Sequence, residues 1–89
     1  MKIKSGFVIQ KVGGSYLAVA TGDRAREFRA LVRLNGTGAF LWNNLSGADK
    51  TDEDLLSAIL SEYDVAEDIA KRDIEAFKKT LLEAGILDV

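Results

Sequence analysis

Residues 33–42, RLNGTGAFLW, decide how the rest of this 89-residue chain is read. Asn35 is a good helix N-cap, because its side-chain oxygen can accept from the free amides of a first helical turn. The stretch ahead of it, FRALVRL at 28–34, alternates, with Phe28, Ala30, Val32 and Leu34 on one side and Arg29, Leu31 and Arg33 on the other. A strand with one apolar face therefore passes into a helix over 36–45 through one cap residue. Gly36 and Gly38 each cost roughly 1 kcal/mol of helix propensity relative to alanine, so a packing reason is expected. Without β-carbons at these sites the first turn can lie directly against the sheet, with Leu34, Leu41, Leu45 and Trp42 facing inward.

Upstream, GFVIQKVGGSYLAVAT at 6–21 holds two β-type runs around Gly13-Gly14, which suits a tight hairpin of strands 6–12 and 15–21. That turn sets Val8 opposite Val19 and Ile9 opposite Ala18. TGDRARE, 21–27, reads as a loop. Downstream, LSGADKTDED ends in a capping box, Thr51 with Asp54. It opens a helix over 52–63 whose stripe is Leu55, Leu56, Ile59, Leu60 and Tyr63. Asp64, with Glu67 three residues on, is expected to open a third helix to about Ala84. Its inward line is Ala70, Ile74, Phe77 and Leu81, and Ile69, Asp73, Ala76 and Thr80 share a neighbouring face. Gly85 is placed for a left-handed cap with Ile86 folding back, and the tail ILDV adds a last strand or packs. Three strands followed by three helices make an α+β chain, one domain over 1–89. A three-stranded antiparallel sheet ahead of a helix cluster is a winged-helix inventory.

Composition narrows the function. The chain is 47% apolar and 29% charged, as in a soluble globular protein, and no apolar run approaches the roughly 20 residues that span a bilayer. No secretory signal is legible, and the lack of cysteine fits the cytoplasm. With neither cysteine nor histidine, thiolate, imidazole and ordinary zinc chemistry are gone. No metal or cofactor is expected, and enzyme catalysis is disfavoured. Residues 1–35 hold seven basic residues against Asp23 and Glu27, whereas 36–89 hold five basic against twelve acidic. The basic part favours an acidic partner.

A winged-helix DNA-binding regulator is one alternative, but TDEDLLSAILSEY contains no lysine or arginine and the third helix mixes both signs, so nucleic acid is not the expected partner. The other is a module to which an extended peptide adds as a strand. The strand at 28–34 is the candidate edge, and Arg29 and Arg33 can meet an acidic partner or guard the edge against aggregation. An uncovered edge also offers a homodimer contact.

LNGTGAFLW at 34–42, TDEDLLSAILSEYDV at 51–65 and DIEAFKKTLLEAGIL at 73–87, in that order, resemble the PqqD-like family, also called RiPP recognition elements. The resemblance covers essentially the whole chain. It implies a winged-helix-like β3α3 fold and a non-catalytic peptide chaperone, which binds the leader of a ribosomally made precursor peptide and presents it to a modifying enzyme, often a radical SAM enzyme. It further implies that the leader adds as an antiparallel strand beside the third strand and lies against the third helix. By position, that groove would involve Phe28, Arg29, Ala30, Leu31, Val32 and Arg33 with Ile69, Arg72, Asp73, Ala76 and Thr80. Leu34, Asn35, Thr37, Gly38 and Trp42 read as structural residues of the motif.

Overall fold

The computed structural model describes residues 1–22, 24–27 and 32–89, with the backbone alone at 24 and 27. Phe28, Arg29, Ala30 and Leu31 lie outside the described residues. The elements are β1 (Lys2–Ile3), β2 (Phe7–Val12), β3 (Ser15–Ala20), α1 (Arg24–Glu27), β4 (Val32–Leu34), α2 (Gly36–Leu45), α3 (Asp52–Glu62), α4 (Glu67–Glu83) and β5 (Leu87–Asp88).

The hairpin forms in the expected register, Val8 opposite Val19 and Ile9 opposite Ala18. Gly13 alone supplies the left-handed backbone of its turn, at φ 61°. β4 joins β3 antiparallel through Tyr16–Leu34, Leu17–Arg33 and Ala18–Val32, and the order β2-β3-β4 leaves β4 at one edge. Alternation along β4 buries Val32 and Leu34 and exposes Arg33. The segment expected to be a loop at 21–27 contains the single turn α1, entered from Gly22 at φ 55° with Ala25 N–H donating to the Gly22 carbonyl at 3.1 Å.

Asn35 caps α2 as expected, its Oδ1 accepting from the Gly38 amide at 2.8 Å. The two glycines divide, however. A β-carbon on Gly38 would stand 3.2 Å from Leu34 Cβ and 3.3 Å from Asn35 Oδ1, whereas one on Gly36 would meet nothing within 4 Å. Close approach therefore explains Gly38 and not Gly36. The turn is pressed on the last residue of its own strand, and Gly36 faces outward.

The Thr51–Asp54 box opens α3 with both of its hydrogen bonds present. The box expected from Asp64 and Glu67 does not form. Ala66 is the N-cap of α4, extended at φ −68° and ψ 147° with no side-chain bond, so Asp64 stands too far ahead to reach the first turn. Glu67 and Asp68 meet the positive end of α4 instead. At the other end Gly85 takes φ 74°, its amide donates to Leu82 O, and the Ile86 amide donates to Leu81 O. This is a Schellman cap, and Ile86 folds into the core as expected. The tail then pairs with a strand not foreseen from sequence, Ile3 opposite Leu87 and Lys2 opposite Asp88, in a separate two-stranded ribbon.

α2 packs on β3 and β4, and α3 and α4 pack on α2 and on each other. Leu41, Leu45, Leu55, Ile59 and Leu81 form the closed centre, with Trp42, Ile74 and Phe77 around them. Lys78 ties α4 to α3 through Asp52 at 3.0 Å, which raises the lysine's pKa. Phe40 of α2 meets Tyr63 edge-on at 5.3 Å.

Two stability tests follow from these contacts. In urea unfolding, Gly38→Ala should be less stable than Gly36→Ala by about 1 kcal/mol or more, because only the first forces Leu34 to shift. In the box, hydrogen bonds from Thr51 hold the Asp54 carboxyl below its ordinary 3.8. A depressed folded pKa gives stability that is present above the unfolded value and lost as pH falls through the folded one. Asp54→Asn should thus flatten the stability profile below about pH 4 and leave the alkaline side unchanged.

Candidate functional site

β4 pairs with β3 on one side only among the described residues, so its other edge presents backbone donors and acceptors. α4 lies beside that edge because Phe77 and Leu81 are drawn into the core under α2. Between them is a cleft of about 150 Å³. β4 contributes Arg33 and Leu34, the strand-to-helix junction contributes Asn35, Thr37 and Gly38, and α4 contributes Asp73, Ala76, Phe77 and Thr80.

The floor is apolar and fixed, since Leu34 and Phe77 are 6% and 5% exposed. The rim is polar. Thr80 donates to the Ala76 carbonyl at 2.9 Å and Asn35 is spent on its cap. Asp73 is partly exposed and, among the described residues, makes no hydrogen bond or ion pair, whereas Glu67 and Glu75 on the same helix pair with Lys71 and Lys78. Arg33 is likewise exposed and, among the described residues, unpaired. Among the described residues no three acidic side chains gather as a metal site.

Of the residues expected at a groove, Arg33, Asp73, Ala76 and Thr80 come together here, with Val32 buried in the strand beside them. Arg72 lies instead along a shallow hollow on the outer side of α4 with Lys79 and Leu82. Ile69, 38% exposed, is about two turns from Ala76 and lines neither. The junction residues Asn35, Thr37 and Gly38 read from sequence as purely structural, yet they wall the cleft. Their signal was the motif itself, since a cap one residue after an edge strand must sit at the end of that edge.

Residues 22–87 match the family described as Coenzyme PQQ synthesis protein D (PqqD). The chain belongs to the PqqD family. The matched span contains the whole β4–α2–α4 arrangement and leaves out the β2–β3 hairpin, so every cleft residue falls within the PqqD region. Two solved structures share the fold. One, TbiB1 in complex with the TbiA(beta) leader peptide, is 23% identical with a TM-score of 0.73, covering 99% of this chain and 95% of that one. The other, lasso peptide synthetase B1 complexed with the leader peptide, is 22% identical with a TM-score of 0.70, covering 96% and 93%. No curated protein matches the chain.

Neighbouring positions of α4 should respond differently to substitution. Ala76→Trp, at an exposed site on the cleft, should change unfolding free energy by no more than about 0.5 kcal/mol. Phe77→Ala should lose about 3–5 kcal/mol in the same urea measurement, because it empties the core.

Proposed function

We propose that this PqqD-family chain is a peptide chaperone of the RiPP recognition element type. It binds the leader segment of a ribosomally made precursor peptide by strand addition to β4 and presents that peptide to a modifying enzyme. The observation that carries the reading is the open edge of β4 with α4 and a cleft beside it. An added strand would satisfy the edge amides and carbonyls, which gives sequence-tolerant affinity, while alternate side chains enter the cleft and give specificity. Family membership and the two leader-bound structures of the same fold support it.

In this reading the leader meets Phe28, Arg29, Ala30, Leu31, Val32 and Arg33, with Asp73, Ala76 and Thr80 of α4 at the cleft and Ile69 and Arg72 reached only by parts of the peptide beyond it. Arg29 and Arg33 orient an acidic leader and speed its encounter. The chain itself carries no catalytic step. It acts in the cytoplasm beside an enzyme of the radical SAM class that performs the modification. The regulator alternative gains nothing from the fold. α3 exposes Asp52, Glu53 and Asp54 and bears no basic residue, so DNA phosphates would be repelled.

Amide NMR titration with a synthetic leader from a neighbouring precursor gene, against a DNA duplex as control, tests the reading. Shifts should concentrate on 28–34 and 69–80 with peptide alone. Silence with that leader, or shifts on α3 and α4 with DNA, would sink it. Reversing charge at Arg29 and Arg33 together should weaken binding about tenfold and flatten its salt dependence; unchanged affinity would remove the arginines from the mechanism.

A further inference from the structure

Strand alternation states where the side chains of an added peptide must go. Leu34 is buried toward the helices, and Arg33, opposite Leu17, alternates to the other face of β4 while still bordering the cleft. A residue opposite Arg33 therefore points outward beside the guanidinium, and the residue opposite Leu34 points inward at the cleft. For an antiparallel addition, the inward residue comes immediately before the outward one in the peptide.

What waits inside is Asp73. It is a partly exposed residue of the cleft floored by Leu34 and Phe77 and has no partner among the described residues, although two other acids of α4 have found lysines. An acceptor that lines a cleft and has no partner among the described residues is open to a donor that a peptide side chain brings. The cleft, at about 150 Å³, is below the roughly 300–1,000 Å³ of ordinary small-molecule sites. It is sized for one side chain. An apolar floor with a carboxylate at the rim suits an aliphatic stem ending in a donor.

We propose that Asp73 is the specificity-determining acceptor of this groove, receiving a cationic or hydroxyl-bearing side chain that immediately precedes the acidic residue meeting Arg33. The inference rests on strand addition to β4 and deepens that reading. The protein thus reads a two-residue charge pattern, donor then acid, one on each side of the peptide strand. An acid in the first position would face Asp73 and be rejected.

The test is selection from a displayed random-sequence peptide library on the full chain and on two variants, Asp73→Asn and Asp73→Lys, with circular dichroism confirming that each is folded. Peptides enriched on the unaltered chain should carry Lys, Arg, Ser or Thr directly ahead of Asp or Glu. Asp73→Lys should replace that donor by an acid, and Asp73→Asn should weaken the best original peptide about tenfold or more. Should Asp73→Lys fail to fold, the Asp73→Asn comparison decides alone. Enriched peptides with no donor preference, or the same peptides from the folded variants, would overturn the role of Asp73 and leave strand addition standing. Failure to enrich any peptide on the folded, unaltered chain would overturn both.

Discussion

Everything in this fold hangs on a strand becoming a helix within one residue. The change of direction leaves free amides at the start of α2 and brings its first turn against the side chain that ends β4. Asn35 answers the first problem by accepting from Gly38, and Gly38 answers the second by having no β-carbon to strike Leu34. With those two settled, Leu41, Trp42 and Leu45 project into the core at a fixed angle from the sheet. α4 then has one place to pack, and that place is alongside the free edge.

This explains how a stability device and the proposed recognition surface come to share residues. The cap side chain and the bare glycine backbone are needed to hold the corner, and the corner is one end of the cleft. Substitutions there act on both properties. Across the cleft the two are separate, because a single step along α4 passes from exposed Ala76 to buried Phe77.

Much of the architecture was legible because it is written in local chemistry. The hairpin register followed from a two-residue glycine turn, α2 and α3 from Asn35 and Thr51, and the end of α4 from Gly85 and Ile86. Reading failed where local signals compete or tertiary contacts decide. Asp64 and Glu67 have the spacing of a box, but the chain stays extended to Ala66. β1 is two residues long and exists only because the tail returns beside it. Gly36 resembles Gly38 in sequence, and only packing separates them. For the cleft, the α4 face was legible from its 3.6-residue period, which puts Asp73, Ala76 and Thr80 on one line. That the junction residues wall the same space was not, since it depends on how α2 and α4 meet.

The small ribbon of β1 and β5 has a consequence for how the domain can be carried. Lys2 stands opposite Asp88, so the first and last elements run side by side, at neighbouring-strand spacing of about 5 Å. Both belong to a sheet separate from the one that contains β4. A segment joined ahead of Met1 would replace the amino group that pairs with Asp49 at 2.7 Å, and would leave the sheet that holds β4 untouched. Such geometry lets a domain be spliced between segments of a larger protein, or have its chain order rotated, with little change to what it grips.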